Sequence, residues 1–274
     1  MDTECKKTFY IKDFYVNGTS IALPSRKGGS GKTAATTSLA DEFGRRNKKV
    51  IVLDCDQQCS VSERLLKEQL KPDDPTLYDV MVNGANIGDA IYEAGESYGN
   101  CFIMPGSPAL KPDDPKFNNE ISKETLIKRI VDPLRNSFDI ILLDAPPALS
   151  VITVAVLAAC DFYLIPLGFD RTSLEGINPI HEACEKIKKA AIGCPKYLGA
   201  FCTQYGQKRL RATRDFDHLA ETIEGMLSEL HIPGSSNWTQ AEMRNTTLQS
   251  ERTHPVSVGY QKLTKYITRE IKNA

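Results

Sequence analysis

Several features are missing from this 274-residue chain. Its eight cysteines are scattered, with only Cys55 and Cys59 close together, and no C-x-x-C pair or Cys/His cluster occurs. A structural zinc or a shared iron-sulfur site therefore has no visible ligands, and reduced thiols are expected. No stretch reaches the apolar length of a membrane span, and Met1 to Tyr15 contains acids and lysines that a secretory signal would exclude. These two absences lead to the expectation of a cytoplasmic protein. Repeats and low-complexity tracts are also absent, and a net charge of −1 does not announce a nucleic-acid binder. The charge is unevenly divided, however: Lys and Arg stand 20 against 25 Asp and Glu up to residue 175, and 14 against 10 after it. Any anionic surface partner should meet the second half. With 41% hydrophobic residues the chain is long enough for one large domain with a substantial core.

What is present is concentrated in Lys27-Gly28-Gly29-Ser30-Gly31-Lys32-Thr33. Glycines 28, 29 and 31 let backbone N–H groups close around an anion, and a following helix adds roughly half a positive charge at its N-terminus. Lys32 supplies a point charge to β- and γ-phosphate oxygens, Thr33 offers its hydroxyl to Mg²⁺, and the backbone from Lys27 to Ala34 completes the cradle. The usual G-x-x-x-x-G-K-[ST] template needs glycine at position 26; here Arg26 stands there with Lys27 directly after it. The loop is a variant carrying a second lysine. Ile21-Ala22-Leu23 before it suits a buried strand, and Ala34 to Phe43 after it has helical spacing and no proline.

Two more apolar runs end in acids. Lys49 to Asp54 delivers Asp54 and Asp56, and Phe138 to Asp144 delivers Asp144. In an open parallel sheet the ligand sits beyond the carboxyl ends of the strands, so these acids can converge on one phosphate-Mg²⁺ cluster. Asp144 is the candidate for the Mg²⁺ shell, and Asp56, in a polar loop, the candidate to orient the attacking water. Strands are expected near 20, 50, 102, 140, 163 and 198, with helices from 31, near 60, from 124, near 152, from 173, from about 214 and from about 257. That alternation predicts a doubly wound, mostly parallel α/β sheet with helices on both faces. The stretches Lys71 to Pro75 and Lys111 to Lys116 are expected to be solvated turns.

The KGGSGKT loop, Asp54-Cys55-Asp56-Gln57-Gln58 and Asp144-Ala145-Pro146-Pro147 resemble the three nucleotide motifs of the ParA/MinD group of P-loop ATPases, the deviant Walker A type. Phe102 to Ser107, Leu164 to Leu167 with Ser173 to Gly176, and Met243 to Val256 extend the likeness, which runs from about Ser20 to about Ile271. Within the group the chain resembles the short ParA proteins of plasmid and chromosome partition. The resemblance implies that Lys27 reaches across a nucleotide-dependent homodimer to the partner's phosphates, and that Lys32, Thr33 and Asp144 serve ATP and Mg²⁺ in cis. It also implies that Asp56 positions the hydrolytic water, with Ala145 to Ser150 as the second switch. Gln57, Cys59 and Ser60 depart from the proline, glycine and asparagine usual there.

The expected organisation is an N-terminal arm over 1–19 and one ATPase domain over 20–274. An arm this short cannot hold a helix-turn-helix domain, so sequence-specific operator binding is not expected. Nonspecific double-stranded DNA is, in a nucleoid-associated protein. Lys208, Arg209, Arg211 and Arg214 cluster near a loop-to-helix junction, and Lys186, Lys188, Lys189, Arg244 and Arg252 are expected to share their face. The resemblance adds a ParB-like centromere-binding protein that triggers hydrolysis. A membrane-positioning ATPase of the MinD kind is the alternative, and a metal or cluster carrier of related fold the third reading. Leu263, Tyr266, Ile267 and Ile271 form one face of the last helix, which suits either a membrane-surface helix or one packed on its own sheet, the second being favoured. Thr203 and Pro233 are assigned as base-edge contacts by position alone.

Overall fold

Four apolar runs set the frame. Strands β1 (Thr19–Leu23), β2 (Val50–Asp54), β5 (Ile140–Asp144) and β6 (Phe162–Leu167) are buried almost throughout, the condition under which a strand needs apolar residues on both faces. The computed structural model describes residues 18–111, 113–204, 217–218, 220–234 and 251–274. With β3 (Tyr92–Glu93), β4 (Cys101–Met104) and β7 (Lys196–Cys202) they form a seven-stranded sheet in the order β3-β4-β2-β5-β1-β6-β7. Every pairing is parallel except β3 with β4.

Alternation along each strand divides the core in two. Ile51, Leu53, Ile141 and Leu143 face one layer with α4 (Leu126–Leu134), α5 (Val151–Ala159) and α7 (Ile177–Lys189). Val50, Val52, Ile140 and Leu142 face the other, with α1 (Lys32–Gly44), α2 (Ser60–Leu65) and α8 (Pro255–Asn273). The shorter α3 (Pro115–Asn119) and α6 (Arg171–Glu175) complete the helices named here. This is the doubly wound arrangement, with helices on both faces.

Three local expectations change. The two-residue edge strand β3 was invisible to periodicity, because two residues carry no alternation. Within the second proline stretch, Asp114 accepts from the Phe117 N–H at 2.9 Å and Pro115 occupies the first turn, so Asp-Pro here starts a helix rather than a turn. The last helix begins at Pro255, two residues early, behind its cap His254. Gly18 serves close packing, since a Cβ there would lie 2.1 Å from the Phe138 carbonyl oxygen. Phe9 to Asn17 lie outside the described residues, and so do 214–216; of the helix expected from about 214, residues 217, 218 and 220 are helical and the chain turns from 221 onward, so no long helix follows there.

The stripe on α8 packs inward. Leu263 and Ile267 are fully buried against α1 and the sheet, Tyr266 and Ile271 pack at the margin, and the Tyr266 hydroxyl donates to the Leu198 carbonyl at 2.7 Å. This face is core and is not available to a lipid surface. No helix among the described residues is long and apolar enough to cross a membrane.

Candidate active site

The candidate phosphate-site residues gather at the carboxyl edge of β1, β2 and β5. The phosphate loop leaves β1 and enters α1 through Gly31, which is left-handed (φ 74°) and provides no side-chain cap. The first-turn N–H groups of α1 are thus left for an anion. Lys32, 6% exposed, lies with its Nζ 2.6 Å from Asp144 Oδ2 and 3.6 Å from Asp56 Oδ2. The Thr36 hydroxyl donates to the other Asp144 oxygen at 2.7 Å. Burial works against the Lys32 charge, but the Asp144, Asp56 and Asp54 carboxylates outweigh it and raise its pKa.

Asp54 stands in register with Asp144 across the β2-β5 pair. Burial, and then the Asp144 charge, push its carboxyl up to about 7, against bonds donated by the Ser62 hydroxyl and by the Ser62 and Asp56 N–H groups. Ser62 in turn accepts from the Gly106 N–H at 2.9 Å, tying α2 to the end of β4. A Cβ at Gly106 would lie 2.9 Å from the Asp54 carbonyl oxygen, so this approach requires glycine. The sequence offered Asp54 only as a strand-end acid; its function as the anchor of α2 depends on contacts remote in the chain.

Lys27 is held by residues of its own chain. Its Nζ lies 3.0 Å from both Thr172 Oγ1 and Asp170 Oδ1, at the start of α6. Burial opposes ionisation of Asp170, but hydrogen bonds from Thr172, Lys27 and Ser173 prevail and hold its carboxyl down at about 2. About half the Lys27 side chain is exposed, so the tether can be released at small cost.

Residues Lys27 to Ala34 line one cavity of about 330 Å³ together with Asp56, as the sequence implied. Its far end is closed by Thr203, Gln204, Ile232, Pro233, Val256 and Tyr260. Pro233 thus lies where positional reasoning put it. Thr203 does too, but its hydroxyl is engaged with the carbonyls of Ser30 and Leu167 rather than offered to a base. Val256 and Tyr260 were missed; they sit one turn apart on α8, a spacing that resembles ordinary core packing. Gln58 and Pro147, which belong to the motifs that carry the family resemblance, also line the cavity, as does Arg64, which carried no sequence signal.

The basic candidates fare differently. Lys208, Arg209, Arg211, Arg214 and Arg244 lie outside the described residues. Lys186, Lys188 and Lys189 crowd the last turn of α7, where Lys188 pairs with Glu185 at 2.9 Å. Arg252 does not join a free basic face. It pairs with the fully buried Glu42 of α1, Nη2 to Oε1 at 3.1 Å, and so caps a core carboxylate from the surface.

A family model described as an AAA domain matches residues 18–193. The chain belongs to the ParA/MinD family of P-loop ATPases. It is 24% identical over 218 residues to the chromosome partitioning protein ParA of Myxococcus xanthus, covering 79% of this chain and 75% of that one. To the sporulation initiation inhibitor protein Soj of Bacillus subtilis it is 27% identical over 172 residues, 63% of this chain and 67% of that one. In fold it is similar to an ATP complex of a Cyanothece McdA variant, with a TM-score of 0.78 and 21% identity, covering 92% and 97% of the two chains. It is also similar to the cell division ATPase MinD of Pyrococcus furiosus, at 0.70 and 22%, covering 92% and 99%.

Proposed function

We propose that this chain is an ATP-dependent DNA-partition ATPase. In this reading ATP and Mg²⁺ fill the cavity and two copies close face to face. The dimer then holds double-stranded DNA without reading sequence, and a ParB-like centromere-binding partner stimulates hydrolysis and release. The observation that carries it is the convergence of Lys32, Asp56 and Asp144 under a glycine loop, with a second lysine, Lys27, at the rim on a releasable tether. One lysine suffices for binding within a protomer; a half-exposed second one suits a phosphate brought from another copy.

Oxygen donors with a carboxylate suit Mg²⁺, and Thr33 and Asp144 are the residues that would hold it beside the phosphates. Bound there, the ion would neutralise charge developing on the phosphate oxygens. Lys32 exchanges its Asp144 contact for phosphate oxygen, and Asp56, freed from its long contact with Lys32, accepts a proton from the attacking water. Ile232, Pro233, Val256 and Tyr260 give the other end of the cavity apolar side chains against which a purine would lie.

Lys27→Ala should lower steady-state ATP turnover about tenfold or more, while the equilibrium affinity for ATP with Mg²⁺ changes by less than about threefold. Equal losses in both would make Lys27 a ground-state ligand instead. DNA retardation with ATP, with ADP and without nucleotide tests the whole reading: only ATP should increase affinity, and the gain should fall steeply with salt. Changing Arg209 and Arg211 together to Glu should weaken DNA binding about tenfold or more and leave ATP affinity intact. No gain with ATP at low salt sinks the partition reading.

A further inference from the structure

We infer that Thr203 is a positioning residue for phosphate binding: its hydroxyl holds the peptide joining Ser30 to Gly31 so that the Gly31 N–H faces the phosphates. This rests on the reading of the glycine-lined cavity as the nucleotide seat.

Thr203 is 3% exposed and stands just beyond the end of β7. Its backbone N–H donates to the Leu167 carbonyl at 2.8 Å, which fixes it to the end of β6. The hydroxyl oxygen lies 2.8 Å from the Ser30 carbonyl oxygen and 3.1 Å from that of Leu167. A hydroxyl has one proton to give, and the shorter contact takes the larger share. Leu167 keeps a donor without it, whereas the bond to Ser30 depends on this hydroxyl.

The consequence follows from the planarity of the peptide. The described peptide bonds are trans, so the C=O and N–H of one unit point to opposite sides. Holding the Ser30 carbonyl toward Thr203 turns the Gly31 N–H away from it, and Gly31 lines the cavity. On the other side, the Gly31 carbonyl is taken by the Ala35 N–H at 2.8 Å. Both peptide units flanking Gly31 are therefore pinned, and a donor is oriented before any ligand arrives.

Shape adds a second constraint. At Gly31 a Cβ would lie 2.6 Å from the Thr203 hydroxyl oxygen and 2.9 Å from its Cβ. Threonine thus sits flush on the one loop residue that must be both left-handed and without a side chain. The Cβ stops the loop from sliding toward β7, and the hydroxyl sets the rotation of the peptide. Since this brace is built from residues 173 positions apart in sequence, the glycine loop alone gives no hint of it.

Valine copies the shape of threonine without the donor, and serine keeps the donor without the methyl. Equilibrium binding of a fluorescent ATP analogue with Mg²⁺, turnover at saturating ATP, and thermal melting of the full chain should be compared across Thr203→Val, Thr203→Ser and wild type. Thr203→Val should weaken binding about tenfold, the scale of one positioned hydrogen bond, with saturated turnover changed less than affinity. Thr203→Ser should stay within about twofold of wild type, because the hydroxyl is kept. Equal affinity in the valine variant and wild type would overturn the brace while leaving the seat intact. A serine variant that loses as much as valine, or affinity losses that merely track lowered melting temperatures, would overturn it as well. Wild type that binds no nucleotide would sink the seat, and the brace with it.

Discussion

Lys32→Ala should abolish nucleotide binding, lowering affinity by about 100-fold or more in an equilibrium titration with ATP and Mg²⁺. Among the described residues Lys32 is the cation whose charge is buried against the acids of the site, 2.6 Å from Asp144 and 3.6 Å from Asp56. Those contacts hold the ammonium at the mouth of α1 and keep it protonated until phosphate oxygens replace them. Alanine leaves the loop's N–H groups in place but removes the charge that the triphosphate meets. It also leaves Asp54, Asp56 and Asp144 together with no buried counter-charge, so the ligand-free fold should lose about 3 kcal/mol. The pH dependence has a definite sign. Asp54 has a folded-state pKa of about 7, above its ordinary value, so its contribution to stability is present in acid and lost as pH rises toward 7. The alanine variant should therefore melt closest to wild type in acid, where Asp54 carries a proton, and fall furthest behind above neutrality. Undiminished ATP binding would remove Lys32 from the phosphate site.

The chemistry of this chain was legible where it is contiguous. Residues 27 to 34 run from the loop into the first turn of α1, Asp144 ends β5 and Asp56 lies two residues past β2, so the parallel sheet had to bring them to one edge. The fold was legible for the same reason: buried parallel strands need apolar residues on both faces, and four runs of that kind are plain in the sequence. What escaped depends on partners far along the chain. Arg252 belonged by composition to a basic surface, but its guanidinium is paired with the fully buried carboxylate of Glu42 although its side chain stays 44% exposed. On α8, amphipathic spacing describes membrane contact and core packing alike, and only the buried Leu263 and Ile267 separate them. Thr203 was placed at the cavity as a base-edge contact, and its bonds to the Ser30 and Leu167 carbonyls escaped, because position along a strand says nothing of which carbonyl a hydroxyl reaches. Lys27 was assigned to a neighbouring subunit's phosphates; its contacts with Asp170 and Thr172 describe the resting state from which it would have to leave.

Asp56→Ala should separate binding from turnover. The Asp56 side chain is 10% exposed yet contributes little to holding the fold: its carboxylate accepts from the Gln58 N–H at 3.0 Å and meets Lys32 only at 3.6 Å, whereas Asp54 anchors α2 and Asp144 takes the short contact. Removing it costs the phosphate loop no donor and leaves Lys32 paired with Asp144, so ATP affinity should stay within about threefold of wild type. Turnover should fall by about 100-fold or more, the usual scale for losing the group that orients or deprotonates the attacking water. If the proposed cycle holds, the variant should also accumulate as an ATP-bound dimer that retards DNA and fails to release it, because release follows hydrolysis. Single-turnover phosphate release, read beside sizing of the ATP-loaded protein, distinguishes the possibilities. Wild-type turnover in the variant would move the water-positioning task elsewhere. A loss of ATP binding to match the loss of turnover would show instead that Asp56 works through Lys32, setting the lysine's position rather than the water's.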